Sequence, residues 1–168
     1  MRFFWKHGVK PMLALIVLGL VMAAAVTTMA ETEFSPKIKN ALAAMKEGAA
    51  KLGVSKIDGS SLFFGATKIN DNFELVDSLK SKFGGTATFF IKKGDAFVRI
   101  STNVMKDGKR AIGTPLDPSG PAITAIRQGK AYYGIVDILG KLYDTGYEPI
   151  KNAKGEIIGI YYIGYLME

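Results

Sequence analysis

The sequence predicts an α+β domain built on a five-stranded antiparallel sheet with a helix packed before it. Three observations predict this. Apolar residues recur at helical spacing early in the chain, the period changes to two after Gly84-Gly85, and the β-rich runs are joined by hairpin-length connections. No internal repeat, heptad run or low-complexity tract interrupts the pattern.

The first 30 residues stand apart from that domain. Met1–Pro11 carries Arg2, Lys6 and Lys10 without an acid, Met12–Val26 is uncharged, and Thr27-Thr28-Met29-Ala30 places small residues where a signal peptidase reads them. Residues 1–30 are therefore expected to be a secretory leader, with Glu31 as the mature start. The competing reading is an uncleaved anchor, because Met12 to Ala30 just reaches the length of about 20 apolar residues that crosses a hydrocarbon core. The remaining chain is expected to be periplasmic or secreted in the first case, and tethered to the inner membrane in the second. Membrane contact is expected only if the leader is retained.

The leader also contains the one histidine, the one tryptophan and three of the 22 basic residues. The domain after it has no His or Cys, which excludes a Ser-His-Asp triad, a Cys-His pair, a disulfide framework and the usual zinc, copper and haem ligand sets. Neither a metal nor a cofactor is expected. A core alone must hold the fold, which about 138 residues can supply. The basic residues are spread along the chain, so nucleic acid is not an expected partner. Gly134 to Gly140-Lys141 has the wrong gap for a phosphate loop, and Leu142 stands where Ser or Thr is required. Nothing in the spacing of Asp95, Asp137, Asp144 and Glu148 favours carboxylate-pair catalysis, and the protein is not expected to be an enzyme.

The first element is an amphipathic helix over Ser35–Leu52, with Ser35 as N-cap, Pro36 at the first helical position and Gly53 ending it. A loop bearing Asp58-Gly59-Ser60-Ser61 leads to the short apolar run Leu62–Phe64. Asp71 or Asn72 opens a second helix, Phe73–Phe83, which Gly84-Gly85 stops. The strands Thr86–Lys92 and Ala96–Asn103 follow, joined by Lys93-Gly94-Asp95. Gly120-Pro121 starts a short helix through Arg127, closed by Gly129. The last three strands are Ala131–Leu139, Leu142–Ile150 and Glu156–Leu166. In domain terms, residues 31–61 are an N-terminal helix and linker, and 62–168 form one sheet domain.

Residue parity sorts the polar groups of the strands. It places Phe97, Arg99, Ser101 and Asn103 on one face of the second strand, Tyr133, Ile135 and Asp137 together on the third, and Tyr143, Thr145 and Tyr147 together on the fourth. Arginine grips a carboxylate through two parallel bonds, and tyrosine offers an apolar body with a hydroxyl. Convergence of these faces makes a pocket for a small organic anion. Half-buried strand tyrosines and an exposed arginine are the plainer explanation, and Tyr161, Tyr162 and Tyr165 fit it. The loop Lys106–Leu116, with Lys106, Lys109 and Arg110, either folds over such a pocket or carries only solvated charge.

The ordered segments resemble a known family. The runs Leu62–Asn70, Gly84–Phe90 and Phe97–Val104, then Arg110–Thr114, Tyr132-Tyr133-Gly134, Asp137–Gly140, Tyr147–Ile150 and Gly155–Gly159, are similar in order and spacing to the extracytoplasmic single Cache domain of bacterial chemoreceptors and sensor kinases, of the Cache 3/Cache 2 type. The resemblance covers about Leu62 to Gly164. It implies a PAS-like sheet with an N-terminal helix across one face and a ligand pocket on the other. It also implies a site at Arg99, Ser101, Arg110, Tyr133, Asp137 and Tyr143, with Lys141 and Tyr147 as further members. The family's receptors continue into a second membrane helix, whereas this sequence stops at Glu168. Signalling in cis is therefore not expected, and a separate membrane receptor or sensor kinase would read the bound state. The leading expectation is an exported sensor-type protein that holds a small organic anion, such as a short carboxylate. The alternative is a ligand-free structural or interaction module that contacts a receptor or envelope partner.

Overall fold

A computed structural model describes residues 32–167, so the expected leader and its cleavage point lie outside the described residues. The elements are α1 (Ser35–Leu52), β1 (Ser55–Asp58), β2 (Ser61–Phe64), β3 (Thr67–Lys68), α2 (Glu74–Phe83), β4 (Thr86–Lys93), β5 (Ala96–Thr102), β6 (Met105–Lys106), β7 (Lys109–Arg110), α3 (Pro121–Arg127), β8 (Tyr132–Ile138), β9 (Lys141–Lys151) and β10 (Ile157–Leu166). The predicted strands and helices are present, with ends that differ by one or two residues. The segment between Gly53 and Ile69 is more ordered than a loop, since β1, β2 and β3 pair into a small antiparallel sheet.

The large sheet is antiparallel in the order β5-β4-β10-β9-β8. Its hairpins are local, but the two groups are joined by β10 against β4, with Gly164 opposite Thr86 and Gly159 opposite Ile91. That non-local pairing closes the sheet, and no turn signal announces it.

Alternation along the central strands explains why both faces are covered. Ala87, Phe89 and Ile91 of β4, with Tyr161, Ile163 and Tyr165 of β10, face α1 and α2. Phe90, Ile160, Tyr162 and Tyr147 point the other way and pack with α3 and the segment around Val104, Ala111 and Leu116. A sheet with two apolar faces needs a layer on each.

α1 lies on the first face through Ile38, Ala41, Leu42, Met45 and Ala49. Ser35 is not its N-cap. Phe34 occupies that position without a side-chain cap, and Ser35 is already helical, its Oγ accepting from the Thr32 amide at 2.9 Å. Tertiary packing explains the shift, because Phe34 stacks on the Tyr165 ring with centroids 5.2 Å apart. Phe73, expected inside the second helix, is the cap residue of α2, and Asn72 Oδ1 accepts from the Glu74 amide.

At Gly159 the sheet requires the absence of a side chain. A Cβ there would stand 2.3 Å from the Phe90 carbonyl oxygen, a backbone atom that cannot swing aside. Gly159→Ala is therefore expected to destabilise the fold by about 2 kcal/mol through overpacking. Urea unfolding measures it, and a change below about 0.5 kcal/mol would show that the strand yields without cost.

Candidate functional site

The face opposite α1 carries a cavity of about 510 Å³, bordered by Arg99, Tyr147, Leu116, Asp117, Pro121 and Val136 among others. A bulge in β5 aims Arg99 into this face. Phe89 pairs with Ser101 and Phe90 pairs with Arg99, so Ile100 is an extra residue on β5 and the alternation reverses there. Phe97 and Arg99 lie on the cavity side, while Ile100 packs in the helix-side core.

Arg99 is only 4% exposed. Its Nη1 donates to Thr114 Oγ1 at 2.8 Å and to the Pro115 carbonyl at 3.3 Å. The guanidinium sits over the Phe90 ring, 4.9 Å from its centroid. No carboxylate of the described residues pairs with it, and Nε has no hydrogen-bond partner. Burial pulls its pKa down, opposed by the neighbouring Tyr147 and Tyr162. Tyr147 is itself buried, and that burial raises its hydroxyl's pKa, so it stays a neutral donor at physiological pH. The cavity thus joins a buried cation with no acidic partner among the described residues and a tyrosine hydroxyl to a largely apolar wall that also carries Asp117 and Asp137.

The wall opposite β8 is the chain after β7. Gly113 and Leu116 donate to the Arg99 and Phe97 carbonyls, and Arg99 donates to the Thr114 carbonyl. The residues Ala111–Leu116 therefore run along the outer edge of β5. Asp117 then binds the Ser119 amide and hydroxyl at 2.9 Å each and leads into α3. Those bonds hold its carboxyl below the usual range. Sequence reasoning misses Asp117 and Pro121 as site residues, because Asp117–Pro121 reads only as a helix entry.

The eight expected site residues are not brought together. Arg99, Tyr147 and Asp137 border the Arg99 cavity, with Asp137 Oδ1 accepting from the Gly140 amide in the β8–β9 turn. Tyr143 and Lys141 border a second cavity, about 460 Å³, at the end of the sheet where β9 begins.

Three residues lie on the helix side: Ser101 and Tyr133 correct the parity reading, and Arg110 corrects the expectation from the loop and the resemblance. Ser101 is turned there by the bulge and donates to the Asn72 carbonyl at 2.5 Å. Tyr133 pairs in register with Gly146, packs against the α1-side core, and donates to Glu148, which also binds Lys46 of α1. Arg110 makes a bidentate pair with Asp77 of α2 at 2.8 and 2.9 Å and stacks over Phe73. The Lys106–Leu116 loop likewise does not close over Arg99 as a whole. Lys106 and Lys109 pair in the β6–β7 hairpin, and only Pro115 and Leu116 reach the cavity.

The four carboxylates weighed for catalysis are separately placed. Asp137 on β8 binds the Gly140 amide, Asp144 accepts from Thr32 Oγ1, Glu148 holds Tyr133 and Lys46, and Asp95 lies in the β4–β5 turn. Among the described residues no group of three or more His, Cys, Asp or Glu could hold a metal ion.

A family model described as the Cache 3/Cache 2 fusion domain matches residues 22–168. No curated protein matches the chain. Similar solved structures include the A. aeolicus nlh2 GAF domain in an inactive state, 14% identical, covering 80% of this chain and 83% of that chain with a TM-score of 0.47. They also include the E. coli DcuS sensor domain, 15% identical, covering 77% of this chain and 76% of that chain with a TM-score of 0.42.

Proposed function

Because the chain belongs to the Cache 3/Cache 2 fusion-domain family, we propose that it is an exported sensor-type protein that binds a small organic acid in the Arg99 cavity without transforming it. Cache domains are extracytoplasmic sensing modules, and the finer reading rests on one observation. A guanidinium 4% exposed, with an unbonded Nε and no acidic partner among the described residues, borders a cavity of about 510 Å³. An uncompensated buried charge is costly, and a ligand carboxylate offsets that cost. Phe90, Phe97, Ile160 and Tyr162 fill much of that face, and the part beside Arg99 stays open as the cavity.

In the proposed mode the ligand carboxylate meets the free side of the Arg99 guanidinium and accepts from the Tyr147 hydroxyl, while Leu116, Val136 and Pro121 enclose its carbon skeleton. Asp117 and Asp137 at the same cavity favour acids that also carry an ammonium group, so α-amino acids belong in the test panel. Among the described residues no helix is long and apolar enough to cross a membrane. A separate receptor or sensor kinase is the proposed reader of the bound state.

Thermal-shift measurement against short carboxylates and amino acids tests the proposal. A true ligand stabilises the native state by about 2.7 kcal/mol at a hundredfold excess over Kd. That stabilisation is expected to vanish in Arg99→Ala. Absence of any stabilising acid, or stabilisation that survives Arg99→Ala, would sink the proposal. Mass determination of the exported protein tests Glu31 as its first residue.

A further inference from the structure

We propose that the end of the sheet bearing Lys80, Lys106 and Lys141 is a docking surface for an anionic lipid membrane. The proposal is independent of what the Arg99 cavity holds.

Both ends of the described chain meet at this place. Thr32, before α1, donates through Oγ1 to Asp144 of β9, and the Met167 amide donates to the Leu142 carbonyl at 3.0 Å. The uncharged run Met12–Val26 lies upstream of Thr32. The few residues between Val26 and Thr32 span at most about 20 Å when extended. A bilayer engaged by that run would therefore lie beside this end of the sheet.

The surface there has the two ingredients of an interfacial contact. Lys80, Lys106 and Lys141 border one cavity of about 460 Å³ together with Tyr143 and a single acid, Asp107. Among the described residues, none of the three lysines is in an ion pair. Around them stand four of the exposed large apolar residues: Met105 (54%), Leu139 (40%), Leu142 (54%) and Leu166 (47%). Met105 and Leu139 border the same cavity, Leu142 follows Lys141, and Leu166 pairs with Tyr143.

Leu139 is the most telling member. It occupies the tip of the β8–β9 hairpin at φ 56, a conformation that glycine or asparagine adopts at lower cost, yet it presents an apolar side chain to solvent. Of the other exposed apolar residues, Leu52, Val54 and Ile57 lie near the far end of α1, away from the two ends of the described chain, and Ile135 lies on the edge strand.

Lysine stems lie along apolar surface while their ammonium groups reach phosphate oxygens, and flanking leucine and methionine side chains enter the boundary of the acyl region. A free phosphate uses only the lysines. A lipid surface uses the four apolar side chains as well, which is why the lipid is the proposed occupant.

The test is hydrogen exchange on the full chain with nanodiscs, comparing phosphatidylcholine alone with a phosphatidylcholine–phosphatidylglycerol mixture. The comparison reads the surface whether the leader is retained or removed. Exchange in Met105–Lys109 and Leu139–Tyr143 is expected to slow about tenfold on the anionic discs and not on the zwitterionic ones. The protection is expected to disappear in Lys106→Glu/Lys141→Glu and in Leu139→Ser/Leu142→Ser. It is expected to persist in Lys93→Glu/Lys154→Glu, which makes the same charge change at the opposite end of the sheet. Equal protection on both discs, no protection, or protection that survives both docking-surface variants would overturn the proposal. Protection by glycerol phosphate without a bilayer would overturn it too, and would assign the lysines to a free phosphate.

Discussion

Phe89→Ala is expected to lower the free energy of unfolding by about 4 kcal/mol, the middle of the range for emptying a buried aromatic site. Phe89 is 1% exposed at the centre of the sheet. It meets the Phe64 ring at 5.9 Å and the Tyr161 ring edge-on at 5.7 Å, so it joins the small β1–β3 sheet to the large one beneath α1 and α2. Its removal costs the transfer energy of the ring and leaves a cavity whose walls belong to several elements that cannot all collapse inward. The melting temperature should fall by roughly 10 to 15 °C for a domain of this size. Phe63, one residue from Phe64 and half-buried on the other side of β2, is the control, and its replacement by alanine should cost below about 1 kcal/mol. Urea titrations of both variants check the pair. Similar losses from Phe63 and Phe89 would mean that the small sheet does not pack on the core as described.

Arg99→Met is expected to act in two opposite directions. The empty protein should gain about 1 to 2 kcal/mol, because an unpaired buried charge and an unsatisfied Nε are exchanged for an apolar chain of similar length. Some of the gain is offset by the lost contact with the Phe90 ring and the bonds to Thr114 and Pro115. Thr114 keeps its own bond to the Ala111 carbonyl, so no buried hydroxyl is orphaned by the change. At the same time the stabilisation by any carboxylate ligand should be lost. A site that sacrifices stability for a ligand predicts this combination, whereas a structural arginine predicts that the variant melts earlier. Unfolding curves with and without ligand separate the two, and a less stable empty variant would count against the binding role.

Most elements of the fold are legible in the chain itself. The helices Ser35–Leu52 and Pro121–Arg127 have the bounds that local signals predict, because Pro36, Gly53, Gly120 and Pro121 are strong punctuation. The small β1–β3 sheet is not legible. Strands of two to four residues fall below the length at which alternation stands out, and the apolar run Leu62–Phe64 does not by itself announce its pairing with β1 and β3.

Of the candidate site, parity and chemistry find Arg99 and Tyr147, but they misplace Ser101 and Tyr133 for an identifiable reason. Parity is a rule of uninterrupted strands. One extra residue at Ile100 turns Ser101 toward α2, and the relative faces of separate strands depend on register that only pairing sets. Arg110 is misplaced for a different reason: Asp77 is 33 positions away, and nothing local marks an ion pair of that separation. Composition and pattern alone are enough for the class of fold, the absence of His and Cys chemistry in the domain, and the residue types able to hold an acid. Which of those residues share a cavity depends on folding in three dimensions, through a bulge, a strand register and the β10–β4 pairing. Those features arise from contacts between residues far apart in the chain, where local propensity carries no information.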